Sequence, residues 1–281
     1  MDPKVYVHPR VKPDWCPGCG NFAQHNAIRS VLSKLNIEPY NVVTVSGIGC
    51  SSNMPEYLNT YGFHGIHGRL LPVAQAIKWS NPDLTVIAYG GDGDGYFEGT
   101  NHLIHAAKRN VDITYIVSDN QIFGLTTGQA SPTSELGMIT KTTPYGNVEY
   151  PINPLTIALS AGATFVARGF SGELAHLEML IQRAIEHKGF SLIDVMSPCI
   201  TWNKQDTYEY FKQKTYKLDE EHITDFSYAY NKALETEKIP IGIFYEISRP
   251  KYEDLDPVLK TVNLRKDKIQ INKDEALKEF L

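Results

Sequence analysis

The sequence has no long apolar segment and no excess of basic residues. No run approaches the ~20 apolar residues that a membrane helix needs, and the opening stretch MDPKVYVHPRVKPDW lacks the apolar core of a signal peptide. Lys and Arg number 27 against 32 Asp and Glu, and the basic residues are scattered. The first absence argues against a membrane protein, and the second argues against a nucleic-acid-binding protein. We therefore expect a cytoplasmic protein.

The sequence also lacks the two common phosphate-binding motifs. In GGDGDGYFEGTNHLIHAAKRN the glycines do not have the GxGxxG spacing of a dinucleotide site, and no Lys precedes a Ser or Thr as in a P-loop. The turn carries Asp92 and Asp94 instead. An acidic turn can hold phosphate if a divalent cation such as Mg²⁺ stands between the two. The alternative is that Asp92 or Asp94 caps a helix that begins near Tyr96.

Short apolar, β-branched runs alternate with helical patterns along most of the chain. The composition, with 42% hydrophobic and 21% charged residues, is that of a globular enzyme. The runs predict buried strands within residues 41–49, 83–91, 111–120, 162–170 and 190–198. This alternation predicts an α/β fold, an open, mostly parallel sheet with helices on both faces. Ligands of such sheets bind beyond the carboxyl ends of the strands.

The clearest helical pattern lies in GELAHLEMLIQRAIEHKG, with Gly189 as its stop signal. Its predicted buried face consists of Leu174, Leu177, Ile181, Ala184 and Ile185. From Thr201 onward the alternation is lost, and one further apolar run, IPIGIFYEIS, precedes a polar end. We therefore expect one domain over residues 1–200 and a C-terminal extension over residues 201–281.

A second polar strand end supports the magnesium interpretation. The run ITYIVSDN ends in Asp119 and Asn120, and a side-chain oxygen there can reach the same cation as Asp92. A GDG turn followed by an Asn at a later strand end resembles the motif of thiamine diphosphate enzymes. This resemblance implies Mg²⁺ bound by Asp92, Asn120 and the main-chain oxygen of Ile122, with the metal bridging to the cofactor's diphosphate.

Cysteine is scarce, and its four positions are informative. Cys16 and Cys19 precede a helix predicted to begin near Asn21, whereas Cys50 and Cys199 each follow a predicted strand. Without a secretory signal, metal or cluster ligation is favoured over a disulfide. A helix N-terminus suits an anionic iron–sulfur cluster. A Cys₄ zinc site and scattered buried thiols are the alternatives.

The whole set of motifs resembles one family. WCPGCGN, GIGCSSN, GFHGIHGR, GGDGDG, DNQIFGLTTGQASPTS and SPC, in this order, resemble the β subunit of 2-oxoacid:ferredoxin oxidoreductases across about residues 10 to 202. The resemblance implies that Cys16, Cys19, Cys50 and Cys199 ligate one 4Fe-4S cluster beside thiamine diphosphate. It also implies oxidative decarboxylation of pyruvate, 2-oxoglutarate or a related 2-oxoacid, with coenzyme A taking the acyl group and ferredoxin the electrons.

The resemblance further implies the residues around the cofactor. They are Ile48, Gly49, Cys50, Ser51, His67, Gly91, Asp92, Gly93, Asp94, Asn120, Ile122, Gly124, Leu125 and Thr126. His67 is the candidate catalytic residue, and it lies with His64 in a Gly-rich loop that follows no predicted strand; a loop histidine bound to backbone is the alternative. Leu125 could equally belong to the core. Asn53 stands where many relatives carry Lys or Arg, so the preferred 2-oxoacid is left open.

A partner subunit is also implied. In the family, the carboxylate that activates the cofactor is a Glu on a separate pyrimidine-binding domain, for which this chain has no room. We expect that domain on a larger α subunit, or a fused γ/α subunit, with the active site at the interface of an obligate hetero-oligomer. Two other functions stay open: a non-oxidative thiamine diphosphate-dependent decarboxylase or lyase, and a zinc-stabilised binding module. A nicotinamide dehydrogenase is disfavoured by the missing fingerprint.

Overall fold

The computed structural model describes residues 1–267 together with residues 277 and 278. Its strands are β1 (Val42–Ser46), β2 (Tyr61–His64), β3 (Thr85–Gly91), β4 (Thr114–Asp119), β5 (Ile122–Phe123), β6 (Gln129–Ala130), β7 (Phe165–Phe170), β8 (Ser191–Met196), β9 (Thr215–Lys217) and β10 (Ile239–Glu246). Its α-helices are α1 (Asn21–Lys34), α2 (Met54–Tyr57), α3 (Leu70–Ser80), α4 (Thr100–Arg109), α5 (Pro154–Ser160), α6 (Leu174–Glu186), α7 (Tyr208–Lys214), α8 (Phe226–Ala233) and α9 (Tyr252–Leu255). Within these described residues no helix is long and apolar enough to span a membrane.

Eight strands form one sheet in the order β2-β1-β3-β4-β8-β7-β10-β9, and β5 pairs with β6. Neighbouring strands of the large sheet are parallel, except that β10 runs antiparallel to β7. The prediction of an open, mostly parallel sheet is therefore confirmed. The five predicted strands correspond to β1, β3, β4, β7 and β8.

Side chains of the central strands alternate between two hydrophobic cores, one on each face of the sheet. In β3, Val86 and Ala88 belong to one core, and Ile87 and Tyr89 belong to the other. The first core is covered by α3, α4, α5 and α8, and the second by α1, α2 and α6. Strands buried on both faces need apolar residues at consecutive positions, which is why their sequences are continuous apolar runs.

The edge strand β2 was not predicted from the sequence. All four of its residues are exposed, so it has no buried apolar pattern by which it could be found. The expectation that His64 and His67 follow no strand is wrong, because His64 is the last residue of β2 and His67 lies in the loop after it.

Helix α6 confirms most of the predicted amphipathic pattern. Its buried residues are Leu177, Leu180, Ile181 and Ala184. Ile185 is partly buried against the same core, whereas Leu174 is 42% exposed, contrary to the prediction. Leu174 is the first residue of the helix and precedes the turn at which the helix meets the core.

The predicted C-terminal extension adds strands to the main sheet. β10, which corresponds to the run IPIGIFYEIS, pairs with β7, and β9 pairs with β10. Ile243 and Phe244 of β10 are buried in the two different cores. The division into residues 1–200 and 201–281 stays a prediction, and residues 268–276 and 279–281 lie outside the described residues.

Candidate active site

The carboxyl ends of four neighbouring parallel strands, β1, β3, β4 and β8, meet at one edge of the sheet. The loops that follow these strands carry Cys50, the GDG turn, Asn120 and Cys199. These loops are far apart along the chain, and the parallel sheet brings them together. Two cavities open between them, which we call the GDG cavity and the cysteine cavity.

The GDG cavity has a volume of about 70 Å³ and contains every residue that we predicted to surround the cofactor. It is lined by Ile48, Gly49, Cys50, Ser51, His67, Gly91, Asp92, Gly93, Asp94, Asn120, Ile122, Phe123, Gly124, Leu125 and Thr126. Of these, the predicted set lacks only Phe123. This residue was missed because an apolar side chain between Ile122 and Gly124 resembles ordinary core. Leu125 is 52% exposed, so the alternative that it belongs to the core is wrong.

Asp92 lies directly after β3, where a π-helical turn, Gly93–Glu98, begins. The predicted helix near Tyr96 therefore starts earlier, and α4 continues from Thr100. Asp92 occupies the N-cap position, but its side chain makes no capping hydrogen bond, so the capping alternative is wrong for this residue. The side chain is 1% exposed, and burial raises the pKa of Asp92 to about 6. A buried carboxyl with no capping role is available to a cation.

Thr133 connects Asp92 to a second buried carboxyl. Its hydroxyl oxygen lies 2.8 Å from Asp92 Oδ2 and 2.8 Å from Asp119 Oδ1. A hydroxyl has one hydrogen and can donate to only one of them, so the other contact needs a protonated carboxyl. Burial, with Asp194 and Asp92 nearby, raises the pKa of Asp119 well above its ordinary value. Asp119 therefore donates to Thr133, Thr133 donates to Asp92, and the negative charge is held on Asp92.

Asn120 and Ile122 are held together by a local turn. Asn120 Oδ1 accepts the N–H of Ile122 at 3.1 Å. An amide oxygen has two lone pairs, so this bond leaves one for a cation. Both residues line the GDG cavity with Asp92. Carboxylate, amide and carbonyl oxygens are the ligand types that Mg²⁺ prefers, and in this respect the residues fit the ion.

Asp94 has different contacts from Asp92. Its Oδ1 accepts the N–H of Ile48 at 3.0 Å and the N–H of Gly68 at 2.7 Å, so it does not cap its own helix. Burial raises the pKa of Asp94, and these two hydrogen bonds oppose the shift. His67 Nδ1 lies 3.0 Å from the same oxygen. The alignment of these two atoms is not that of a hydrogen bond, so the contact is electrostatic. His67 thus faces a carboxylate, and the alternative of a histidine bound to backbone does not describe its Nδ1.

The four cysteines line one cavity of about 210 Å³, which has room for a group of several atoms. Its lining consists of Asp14, Trp15, Cys16, Cys19, Asn21, Cys50, Asn53, Asn120, Gly124, Leu125, Cys199, Ile200, Thr201 and Trp202. All four thiols are free of disulfides. Within the described part of the chain, no three His, Cys, Asp or Glu side chains converge as ligands of a single metal ion. The thiols therefore surround a space and do not meet at one point.

The cysteine cavity is unfavourable for thiolates in the absence of positive charge. Burial raises the pKa of Cys19 to about 12 and that of Cys50 to about 11, and the other thiols add to both shifts. Cys16 and Cys19 form a turn, in which the N–H of Cys19 donates to the oxygen of Cys16 at 2.9 Å, and α1 begins at Asn21 as predicted. A group of iron ions would supply the missing charge, and in this respect the four thiols fit a cluster.

Comparison with known proteins bears on this arrangement. Residues 47–195 match the family model described as thiamine pyrophosphate enzyme, C-terminal TPP binding domain, and residues 199–261 match the model for the C-terminal part of the pyruvate ferredoxin oxidoreductase beta chain. The 2-oxoacid:ferredoxin oxidoreductase subunit beta of Saccharolobus solfataricus is 46% identical, over 83% of this chain and 81% of that protein. The chain belongs to the β subunits of the 2-oxoacid:ferredoxin oxidoreductases.

Two further relatives agree with this membership. The 2-oxoglutarate synthase subunit KorB of Methanocaldococcus jannaschii is 36% identical to this β subunit, over 88% of this chain and 92% of that protein. A solved structure of 2-oxoglutarate:ferredoxin oxidoreductase from Magnetococcus marinus, with 2-oxoglutarate, coenzyme A and succinyl-CoA bound, superimposes with a TM-score of 0.93 at 38% identity. It covers 99% of this chain and 96% of that chain. The β subunit is thus part of a thiamine diphosphate-dependent oxidoreductase that works with a partner subunit. This supports the oxidoreductase function over a non-oxidative decarboxylase and over a zinc-stabilised module.

Proposed function

We propose that this β subunit holds thiamine diphosphate through Mg²⁺ in the GDG cavity and one 4Fe-4S cluster in the cysteine cavity. Asp92, Asn120 and the main-chain oxygen of Ile122 bind the cation, and Cys16, Cys19, Cys50 and Cys199 bind the cluster. When bound, the cofactor supplies the electron sink for decarboxylation and the cluster accepts the released electrons. The complex then oxidises a 2-oxoacid in the presence of coenzyme A and reduces ferredoxin.

One observation carries this proposal: the two cavities share a wall. Cys50, Asn120, Gly124 and Leu125 line both of them. A residue proposed to bind the cluster therefore also borders the cofactor site, and no layer of protein separates the two. Such proximity is what electron transfer from one group to the other requires.

The role of this chain's own side chains is to bind and to exclude water. Asp92 provides the negative charge for the cation, because Thr133 and Asp119 hold their protons in a chain directed toward it. Asn53 lines the cysteine cavity at a position where a basic residue would be able to pair with a substrate carboxylate. The 2-oxoacid is therefore assigned here as a class, and 2-oxoglutarate is one member to test.

The α subunit docks over the GDG cavity in this proposal. Several large apolar side chains around that cavity are exposed: Ile48 is 36% exposed, Leu125 52% and Phe97 61%. The Phe97 ring packs edge-on against Phe123 at 6.2 Å between centroids, which joins it to the cavity wall. Exposed apolar surface of this kind is typical of a protein–protein interface. A pyrimidine-binding domain on the partner would complete the site.

Two variants test the assignment in the co-expressed, anaerobically purified αβ complex. Cys199→Ala should lower the iron content by about four atoms per αβ pair and abolish ferredoxin reduction, while Mg²⁺-dependent thiamine diphosphate binding persists. Asp92→Ala should do the reverse, retaining the iron and losing cofactor binding measured by calorimetry. Each variant is the control for the other. Unchanged iron in Cys199→Ala would assign the cluster to the partner subunit. Pyruvate, 2-oxoglutarate and branched 2-oxoacids, assayed in parallel with coenzyme A, identify the substrate.

A further inference from the structure

The carboxylate of Asp94 joins two loops and a histidine at one oxygen. The N–H groups of Ile48 and Gly68 donate to Oδ1, and His67 Nδ1 lies 3.0 Å from the same atom. Asp94 is 2% exposed, although it belongs to a glycine-rich turn at the mouth of a cavity. The first loop follows β1, the second follows β2, and Asp94 itself follows β3. One side chain thus holds three consecutive strand ends in register.

Two glycines make this close packing possible. A Cβ on Gly47 would lie 2.1 Å from Asp94 Oδ2, so no side chain fits there. Gly68 has a φ of +71°, and a Cβ there would lie 2.5 Å from the carbonyl carbon of Glu98. The backbone on both sides of Asp94 is therefore shaped to bring it against the N–H groups and the imidazole.

His67 is directed by this contact. Its Nδ1 is buried against Asp94, whereas the side chain as a whole is 37% exposed and lines the GDG cavity. A carboxylate oxygen accepts only from an N–H, so the contact selects ring forms that carry a hydrogen on Nδ1. Nε2 is then the nitrogen that is left to face a ligand. Contacts that are poorly aligned in a free site commonly tighten when the ligand binds.

The composition of the cavity gives His67 a particular importance. Its lining contains Asp92 and Asp94 but neither Lys nor Arg, so His67 is the one side chain of that lining that can carry positive charge. A diphosphate bears more negative charge than one Mg²⁺ neutralises. An imidazole donor on the ligand side, balanced by a carboxylate behind it, would compensate for the remainder.

We propose that Asp94 is a positioning residue, which holds His67 and the loops at residues 47–48 and 67–68 so that His67 Nε2 donates to the diphosphate. This inference rests on the proposed function, because it needs the cofactor's diphosphate in the GDG cavity. A purely structural Asp94 would hold the loops without acting through His67. The two roles predict different couplings between Asp94 and His67 in ligand binding.

A double-mutant cycle in the co-expressed αβ complex measures this coupling. The variants are Asp94→Asn, His67→Ala and the double variant, and calorimetry measures the affinity for Mg²⁺ with thiamine diphosphate and for Mg²⁺ with inorganic pyrophosphate. Asn keeps an oxygen for the two N–H groups but removes the charge. His67→Ala should weaken both ligands by about 10-fold or more, and Asp94→Asn by about 3- to 10-fold, as expected for a hydrogen bond to a charged group. In the His67→Ala background, Asp94→Asn should change neither affinity by more than about twofold.

His64→Ala is the matched control, because His64 pairs with Glu56 at 2.8 Å on the same side of the site. It should leave both affinities unchanged. Equal losses from Asp94→Asn with and without His67 would overturn the inference, since Asp94 would then act on the loops alone. If Asp94→Asn does not assemble, Asp94→Ser is carried through the same cycle with the same expectation. Asp92→Ala separates the two hypotheses: lost binding in Asp92→Ala with intact binding in His67→Ala refutes only the role of Asp94 and His67, whereas intact binding in Asp92→Ala refutes the proposed function.

Discussion

Arg168 and Asp194 form a buried ion pair between directly opposed residues of β7 and β8. Arg168 Nε donates to Asp194 Oδ2 at 3.0 Å, and the two residues are register partners in the sheet. The hydroxyl of Tyr96 donates to the other carboxylate oxygen at 3.0 Å. Burial raises the pKa of Asp194, and Arg168 opposes that shift. The ion pair also links the GDG turn, through Tyr96, to the strand that precedes Cys199.

Arg168→Met should lower the free energy of unfolding by about 3–5 kcal/mol, because it leaves Asp194 buried without its cation. The change is measured from urea denaturation of the complex, followed by tryptophan fluorescence. The double variant Arg168→Met/Asp194→Asn should recover most of the loss, since Asn is neutral and still accepts from Tyr96. A single variant with wild-type stability would show that the ion pair contributes nothing.

His25 makes the stability of the fold sensitive to acid. The ring lies 5% exposed on α1, with Nε2 3.3 Å from the main-chain oxygen of Tyr57, and burial lowers the pKa of His25 from 6.5 to about 4. Between these two values the unfolded chain binds a proton that the folded chain does not. Stability is therefore lost as the pH falls from about 7 to 4, by up to about 3 kcal/mol. His25→Gln should flatten this dependence in urea denaturation between pH 7.5 and pH 5. Replacement of the exposed His105 by Gln should leave the profile as it is in the wild type, and an equal effect of both substitutions would argue against this assignment.

The positions of the site residues could be predicted because a parallel sheet gathers its carboxyl ends at one edge. Asp92, Asn120 and Cys199 follow three different strands, and each strand is a recognisable apolar run. The order of the runs along the chain was therefore enough to place these residues together. The same reasoning could not find β2, because all of its residues are exposed at the edge of the sheet.

Contacts that depend on register or on irregular backbone could not be predicted. Arg168 and Asp194 meet because β7 and β8 pair in one particular register, which the apolar pattern alone does not specify. Thr133 lies in the irregular segment between β6 and α5, where no periodic pattern indicates which way a side chain points. Asp94 was predicted at the cofactor site, but its partners Ile48 and Gly68 come from two other loops, and only the folded chain shows what it holds.

Gly124 separates the two cavities, and enlarging it should affect both. A Cβ on Gly124 would lie 3.7 Å from Cys50 Sγ and 3.7 Å from Cys199 Sγ, which is ordinary van der Waals contact. Gly124→Ala should therefore retain iron and cofactor binding. Gly124→Leu extends further into the cysteine cavity and should lower the iron content and ferredoxin reduction by at least about tenfold, given that an overpacked site must distort. Iron analysis of the two purified complexes makes the comparison, with Gly124→Ala as the internal control. Full iron occupancy in Gly124→Leu would place the cluster elsewhere.

The proposed docking surface can be tested with two exposed aromatic residues that lie at opposite edges of the sheet. Phe97 is 61% exposed beside the GDG cavity, and Tyr40 is 62% exposed just before the start of β1, at the amino ends of the strands. Burial of a Phe side chain in an interface contributes about 1.5–3 kcal/mol, and a charge at its centre also has to be desolvated. Phe97→Asp should therefore weaken association with the α subunit by at least about tenfold, whereas Tyr40→Asp should leave it unchanged. Pull-down of the α subunit by tagged β variants, titrated over concentration, measures both. If Phe97→Asp and Tyr40→Asp retained the α subunit equally well and with full ferredoxin reduction, the partner would have to cover a different face, and the cofactor site would not lie at that interface.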